Sequence, residues 1–378
     1  MTELARHNPF SVLRTSWPLL ATAVALALLG VLTMHPFDGS PSLAPRQLIF
    51  IGLGIAVYMS LAMLDMRFVR RAPVIFVGYI SALILLALVL IVGHETMGAR
   101  SWFDFGFFAF QPADFAKLVV IALLAKYFSR RHMEIGNFWH VIISGAYIAA
   151  LVLLILVQPD LGTAVILMTV WFGMILISGI PLRHLMVVGT IGLVMATGLW
   201  FFGLQDHQRT RLMTFINPAA DITGAGDNAY QSMLARGSGQ LGGKGVGYGT
   251  QSKLRFLPEY QTDFIFASYA EEWGFIGVVL LLSLYGFLLF QLLSIARRAA
   301  TNFDALFTIG VLILFLAHVG FHAGINLGLL PVTGTTIPFM SSGGSHIIVE
   351  FAALGIIASL AQQGRSVPRE FATLEYEG

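Results

Sequence analysis

Two kinds of residue are scarce in this sequence: cysteine, which is absent, and charged residues, which make up 11% of the 378 residues. The absence of cysteine excludes disulfide bridges, thiolate metal sites and a cysteine nucleophile. Soluble proteins carry about 25% charged residues, so this chain has too few to cover the surface of a soluble protein of its size. The net charge is only +2, and no bulk positive field points to nucleic acid as a partner.

Apolar residues make up 57% of the chain and are gathered into long runs separated by proline-containing breaks. A bilayer core about 30 Å thick needs about 20 apolar residues per helix. The sequence therefore predicts an all-α polytopic membrane protein with about ten transmembrane helices. The predicted spans are 17–34, 47–64, 73–93, 112–129, 138–157, 161–180, 182–204, 266–295, 305–330 and 343–362.

Arginine and lysine concentrate in the loops on one side of these spans, and that side is expected to be cytoplasmic. Ten spans then place both termini in the cytoplasm, as tails 1–16 and 364–378 of a single membrane domain covering 1–378. The first span could instead be a signal peptide, but no small-residue cleavage pattern follows it, which favours a retained helix. The basic loop positions are Arg6, Arg14, Arg67, Arg70, Arg71, Lys126, Arg130, Arg131, Arg183, Arg297, Arg298, Arg365 and Arg369.

A large extracellular loop, about 205–263, is predicted between helices 7 and 8, and it contains many of the polar residues. Loops of this length without secondary structure are uncommon unless they are functional. Within it, 229–235 is expected to form a short interfacial helix. The stretch 237–249 is too rich in glycine for a helix. Its backbone N–H groups and Lys244 suit a phosphate cradle, and a flexible linker explains the same composition equally well.

Asp263 lies where this polar loop meets the next apolar helix. A carboxylate at the outer mouth of a helix bundle can meet both water and a lipid-borne substrate, so Asp263 is a candidate general base. The alternative is structural, because Thr262 or Asp263 could simply cap the N-terminus of the helix. Glu271 lies two turns further along and could share the same face.

Lys117 is predicted to lie inside an apolar helix, where an ammonium group is costly to insert. An ion pair with Asp114 at spacing i,i+3 or snorkelling to the interface would offset that cost. An anionic ligand would do so equally well. Asp160, in a polar turn between two spans, is expected to be structural.

The uncharged segment 330–345 is rich in hydroxyl groups and glycine. It either forms a tight re-entrant turn, in which glycine permits close packing, or lines a substrate groove. His318 and His322 share one helix face, and packing is favoured over metal binding because no carboxylate nearby in sequence completes a site.

Taken together, these segments resemble the SEDS family, the shape, elongation, division and sporulation proteins of bacterial cell-wall synthesis, over roughly residues 17–362. The elongation branch is the closer one, through Gly249-Thr-Gln-Ser252. The matching motifs are Gln111-Pro-Ala-Asp-Phe-Ala-Lys117, Gln158-Pro-Asp-Leu-Gly-Thr163, Gly237-Ser-Gly239, Gly243-Lys-Gly245, Gly249-Thr-Gln-Ser252 and Phe256-Leu-Pro-Glu-Tyr-Gln-Thr-Asp-Phe-Ile-Phe-Ala267.

The resemblance implies a peptidoglycan glycosyltransferase in the cytoplasmic membrane. It would join lipid II, an undecaprenyl-linked disaccharide peptide, into glycan strands beside a class B penicillin-binding protein. The family's proposed catalytic aspartate falls on Asp263. No dedicated metal cage is evident, although a divalent cation could assist. The predicted substrate-binding residues are Lys117, Arg211, Gln231, Lys244, Gln251, Glu259, Thr262 and Ser345.

Three positions depart from the family pattern. His322 stands where the family usually has asparagine, Ser342 replaces a tyrosine, and Asp114 replaces a glutamate. The proposed base is unaffected, but these changes alter the lining expected for the groove. Two other functions fit the same architecture, a transporter that flips lipid II and a non-catalytic scaffold, and polymer formation by purified protein separates them from an enzyme.

Overall fold

Helices that coincide with all ten predicted spans dominate the computed structural model. It describes residues 9–34, 43–96, 99–106, 108–131, 138–198, 200–201, 209–210, 212–213, 215, 225–254, 256–257 and 259–366. The helices are α1 Pro9–Met34, α2 Leu43–Met63, α3 Ala72–Val92, α4 Pro112–Arg131, α5 Trp139–Val157, α6 Leu161–Ile177, α7 Leu182–Gly198, α8 Ala225–Ser238, α9 Thr250–Lys253, α10 Ile265–Arg297, α11 Asn302–Asn326 and α12 Gly344–Ser366.

Seven of the described helices are long and apolar enough to cross a membrane: α1, α2, α3, α5, α10, α11 and α12. Helix α6 is apolar but has only 17 residues, and α7 has the same length. Large apolar side chains are exposed along these helices, as on α3, where Ile91 is 78% exposed. Such surfaces suit contact with lipid, and the chain is a polytopic helical membrane protein, as predicted.

Small residues allow the helices to pack closely. Helix α12 lies against α2, where a Cβ added to Gly355 would come within 2.8 Å of the carbonyl oxygen of Tyr58. A larger residue at Gly355 would force the two helices apart. Packing through small residues is typical of membrane helices, whose association cannot depend on excluding water.

A small antiparallel sheet between α3 and α4 was not predicted from the sequence. Its strands are β1 His94–Thr96, β2 Ala99–Asp104 and β3 Ala109–Phe110, in the order β1-β2-β3. Strands of two to six residues are too short for a clear alternating pattern, which explains why they were missed. The sheet places Ser101 and Trp102 in the wall of a cavity that it forms with neighbouring helices.

The predicted helix at 229–235 is present as the longer α8. Of the stretch 237–249, Gly237 and Ser238 belong to the last turn of α8, contrary to the prediction, whereas residues 239–249 are non-helical as expected. These residues are tied to a break in α10 at Gly274, whose φ of +64° favours glycine. Lys244 N–H donates to the carbonyl of Glu271 (3.0 Å), and Phe275 N–H donates to that of Gln240 (2.9 Å). Backbone groups left unpaired by the break are therefore satisfied by the glycine-rich stretch.

Residues 331–343, between α11 and α12, form a largely buried segment without regular structure, which we call the re-entrant segment. Tyr285 Oη donates to the carbonyl of Pro338 (2.6 Å), and Phe339 N–H donates to Glu350 Oε2 (2.7 Å). Irregular backbone is tolerated at membrane depth only where protein or a water-filled cavity surrounds it. The segment forms a tight turn, as one alternative predicted, and it also lines a cavity.

Candidate active site

A polar cavity of about 320 Å³ opens between the re-entrant segment, the start of α10 and the N-terminal ends of α4 and α6. Four of the predicted site residues line it: Asp263, Lys117, Glu259 and Thr262. Its lining carries carboxylates, one ammonium group, imidazoles and hydroxyls in a protein that is otherwise mostly apolar. The other lining residues are Ser101, Trp102, Gln111, Pro159, Asp160, Thr163, Ile166, His318, Thr333, Gly334, Thr335, Thr336, Ser342, Gly343 and His346.

Asp263 is half-buried in the turn that precedes α10, and its backbone is fixed from two sides. Asn326, at the end of α11, donates from Nδ2 to the carbonyl of Asp263 (3.0 Å) and accepts from the N–H of Ala267 (3.2 Å). Ser341 Oγ donates to the carbonyl of Thr262 (3.0 Å). The N-cap position of α10 falls on Phe264, the residue after Asp263.

The Asp263 carboxylate faces the re-entrant segment. A Cβ built on Gly334 would lie 3.7 Å from Asp263 Oδ2, and Gly334 has a φ of +71°. Glycine therefore permits both the local turn and the open space beside the carboxylate.

Glu259 holds the other side of the same turn in a strained conformation. Its φ of +50° is uncommon for a residue with a side chain. Its carbonyl accepts from the N–H groups of Thr262 (3.1 Å) and Phe264 (3.2 Å), and its Oε2 accepts from Thr262 Oγ1 (3.0 Å). Such strain persists only where the surroundings fix it, and it is often found at functional sites.

Lys117 places the one ammonium group of the lining at the floor of the cavity. It is 5% exposed, and its Nζ donates to Asp114 Oδ1 (2.9 Å), which is the pairing expected at i,i+3. The same Nζ lies 3.5 Å from His318 Nε2, and His318 Nδ1 lies 2.9 Å from the carbonyl of Thr336. Of the alternatives expected for Lys117, the ion pair with Asp114 is therefore present, and the side chain also lines the cavity, where an anionic ligand would meet it.

His346 was missed by the sequence analysis. One ring nitrogen, Nδ1, lies 3.5 Å from Asp114 Oδ1, and the other, Nε2, lies 2.8 Å from Glu350 Oε1. It therefore shares Asp114 with Lys117 and continues the charged network behind the cavity. The sequence does contain a signal for His346. The residue closely follows Gly343 and Gly344 and has a glutamate, Glu350, at i+4.

Asp160 is the N-cap of α6, and its Oδ1 accepts from Thr163 N–H (2.9 Å). This bond is the kind of structural role that the sequence predicted for Asp160. Its Oδ2 also accepts from Gln111 Nε2 (3.3 Å) on the cavity wall. Burial raises the pKa of the Asp160 carboxyl, and the bonds from Thr163 act against that shift. Ser345 is one layer behind, where its Oγ accepts from Gln111 N–H (3.2 Å).

The remaining predicted residues lie elsewhere. Lys244 Nζ donates to Glu271 Oε1 (2.7 Å), which also accepts from the N–H of Gln251 (3.3 Å), so these two residues join the cluster at the broken helix. Gln231, on α8, donates to Asp227 (3.2 Å). Arg211 lies outside the described residues. In the part of the chain that the structure describes, no three potential metal-binding side chains converge on one point.

A second, smaller cavity of about 170 Å³ adjoins the first and shares Trp102, Ser342 and Gly343 with it. Arg46 lines this cavity, with its guanidinium carbon 5.8 Å from the ring centre of Phe50. Ser342 stands where the family pattern has a tyrosine, so the departure lies at the junction of the two cavities.

These features define a class: a multi-pass helical membrane protein with a polar, charged cavity at one end of the bundle. The family model described as "Cell cycle protein", covering FtsW, RodA and SpoVE, matches residues 10–366. The chain belongs to this family, which is the one that its motifs resemble.

Several curated relatives are similar over most of their length. Peptidoglycan glycosyltransferase MrdB of Escherichia coli K12 is 35% identical over 344 residues, covering 90% of this chain and 92% of that protein. Stage V sporulation protein E of Bacillus subtilis is also 35% identical, covering 88% of this chain and 90% of its own. Because relatives of different branches match at equal identity, overall identity alone does not separate the branches.

Two solved structures share the fold. The first is from work on the structural coordination of polymerization and crosslinking by a peptidoglycan synthase complex. Its chain has a TM-score of 0.79 and 32% identity, covering 93% of this chain and 98% of that one. The second is the rod shape determining protein RodA of Thermus thermophilus, with a TM-score of 0.70, 31% identity and the same coverage. The second likeness fits the elongation-branch assignment.

Proposed function

We propose that this protein polymerises lipid II into glycan strands at the outer face of the bacterial cytoplasmic membrane and releases undecaprenyl pyrophosphate. The observation that carries the proposal is the shared cavity of Asp263 and Lys117, a half-buried carboxylate and a buried ammonium group at one end of a membrane bundle. The names of relatives such as MrdB, a peptidoglycan glycosyltransferase, support it.

In the proposed reaction, Asp263 accepts the proton of the acceptor hydroxyl as its oxygen attacks the anomeric carbon of the donor sugar. The bond from that carbon to the pyrophosphate oxygen breaks, and the pyrophosphate leaves with the bonding electrons. This leaving group is already good, so the site needs no strong general acid, unlike a glycosidase with two carboxylates. Lys117 stabilises the negative charge that develops on the phosphate.

Glu259 and Thr262 are proposed to orient the sugars beside Asp263, since both line the same cavity. Arg46 is proposed to contact a second phosphate or sugar unit in the adjoining cavity, because polymerisation requires donor and acceptor at the same time. Lys244 and Gln251 are proposed to shape the outer loop through Glu271, away from the cavity.

The proposed topology follows the arginine and lysine bias, with both termini in the cytoplasm and the loop of about 205–263 outside. A class B penicillin-binding protein is the proposed partner. The structural relative from a complex that coordinates polymerization and crosslinking supports this pairing.

The test is polymer formation from lipid II in detergent by purified wild-type protein and its Asp263→Asn variant. Loss of a general base should lower the rate by two to four orders of magnitude, roughly. Asp227→Asn makes the same chemical change on α8, outside the cavity, and should leave the rate within about twofold. Retention of a tenth or more of the activity by Asp263→Asn would refute its role as the base. Absence of polymer with the wild type would favour the flippase or the scaffold.

A further inference from the structure

A second charged cavity, of about 740 Å³, lies at the other end of α4. It is formed by the connection between α2 and α3 and by the last two turns of α4. Thirteen residues of helix separate Lys117 from Arg130, or about 20 Å along the axis. The cavity is therefore remote from Asp263 and has no part in the proposed chemistry. Its lining residues are Asp65, Arg67, Phe68, Arg70, Arg71, Ala72, Pro73, Lys126 and Arg130.

The charge of this cavity, which we call the basic cavity, is strongly one-sided. Five cations and one carboxylate, Asp65, line it. One further carboxylate, Asp304, reaches it from behind and holds Arg70 in a bidentate pair at 2.9 and 2.8 Å. Among the described residues, cations here therefore outnumber carboxylates by three.

Two of these cations are available to a ligand. Arg71 and Arg130 are both exposed, and neither makes an ion pair with another described residue. Arg71 is also the N-cap residue of α3, with no side-chain cap bond, so the positive end of the helix dipole adds to the field in the cavity. Topology alone requires basic residues on this side of the membrane, but it does not require them to converge on one concavity.

An exposed apolar surface begins in the wall of the basic cavity and continues on α3, and we call it the rim. Phe68 lies in the cavity wall and is 43% exposed, and Phe76, one turn into α3, is 63% exposed. A ligand that fills the cavity and covers this rim must have a negatively charged head and an apolar tail. Basic pockets between membrane helices on the cytoplasmic side are known to bind the head groups of anionic lipids.

We propose that the basic cavity binds a phosphodiester head group of an anionic membrane lipid, with the acyl chains lying along Phe76 on the face of α3. A lipid with two phosphodiester groups, such as cardiolipin, matches the two exposed arginines, Arg71 and Arg130, better than a lipid with one. The site ties the ends of α2, α3 and α4 together at the leaflet opposite the candidate active site.

The experiment measures the lipid retained by the purified full-length protein in mixed micelles of cardiolipin and neutral phosphatidylcholine, by native mass spectrometry. The wild type should retain cardiolipin in preference to phosphatidylcholine. The double variant Arg71→Gln/Arg130→Gln should lower cardiolipin affinity by about thirtyfold, from two lost cation contacts. Arg71→Lys/Arg130→Lys keeps both charges and should retain most of the binding.

The matched control is Arg183→Gln/Arg297→Gln, which removes the same charge from two exposed arginines predicted on the same side but outside the cavity. It should change cardiolipin retention less than twofold. Equal loss in this control, or equal retention of both lipids by the wild type, would overturn the proposal. Inorganic pyrophosphate should not compete for this site. If it binds the protein without lipid and also displaces cardiolipin, the site belongs to a soluble anion instead. None of these results depends on polymer formation, so they do not test the proposed reaction.

Discussion

The buried pair of Lys117 and Asp114 allows stability and catalysis to be separated in one set of variants. Their relative exposures are 5% and 2%, and their charged atoms are 2.9 Å apart. Lys117→Met removes the charge and keeps a side chain of similar length. Asp114 Oδ1 then still lies 3.5 Å from His346 Nδ1, but it has lost its ammonium partner.

The expected cost has two parts. Breaking a buried ion pair by removing one partner costs about 3–5 kcal/mol of folding free energy, because the remaining charge is left uncompensated. Losing a group that stabilises charge in the transition state lowers turnover by a factor of about 10²–10³. Lys117→Met should therefore be both less stable and less active, whereas Lys117→Arg should recover only part of the activity, since a planar guanidinium does not replace a compact ammonium.

The second variant removes both charges. Asp114→Asn/Lys117→Met replaces the pair with neutral groups of similar volume, a change that is often neutral for stability. The unfolding temperature should therefore return toward that of the wild type. The rate of polymer formation from lipid II should stay about a hundredfold or more below that of the wild type. If this double variant regained both stability and turnover, Lys117 would be only a structural partner of Asp114, and the proposed contact with the phosphate would be wrong.

Three further predictions follow from the site and the topology. Asn326→Ala should lower the turnover number more than it changes the Michaelis constant, because it removes two hydrogen bonds, each worth about 1 kcal/mol, that fix the backbone beside Asp263. Gly162→Ala should destabilise the fold by about 1–3 kcal/mol in thermal unfolding, because the added Cβ would lie 2.6 Å from the carbonyl oxygen of Thr333 in the re-entrant segment. Gly189→Ala is the control and should leave the stability unchanged, because nothing lies within 4 Å of its added Cβ. A cysteine introduced at Tyr230 should react with an impermeant thiol reagent from outside the cell, and reaction only from the cytoplasmic side would reverse the topology.

Much of the fold could be predicted from the sequence, because span length and proline breaks are local signals. The pairing of Asp114 with Lys117 was also predictable, since i,i+3 residues share a helix face. The position of Lys244 could not be predicted from the sequence. Its glycine-rich surroundings suit an anion, but the same N–H groups fill the backbone break at Gly274, about 30 residues further along the chain. Composition cannot say which acceptor such a loop will meet.

Of the residues that line the cavity, those in the turn before α10 were predicted together from one motif. His346, whose place depends on distant contacts, was not predicted. Asp263, Glu259 and Thr262 lie within five residues of one another, so a single motif identifies them. His346 reaches the same cavity from another helix, and its relation to Asp114 spans 232 residues of sequence. A histidine in an apolar helix gives no local sign of which carboxylate it will face.

The re-entrant segment contributes uncharged polar groups to the cavity, whereas the charged groups come from other parts of the chain. The segment has no charged residue, yet Thr333, Thr335 and Thr336 line the same cavity as the ammonium group and the carboxylates. Hydroxyl and peptide groups can hydrogen-bond sugar hydroxyls without adding charge to a membrane-embedded site, where each unpaired charge is costly. In the proposed reaction, charge is then left for the steps that need it: Asp263 for the proton of the acceptor and Lys117 for the departing phosphate. An uncharged, hydroxyl-rich lining beside one ammonium group therefore suits the proposed ligand, a carbohydrate joined to a phosphate.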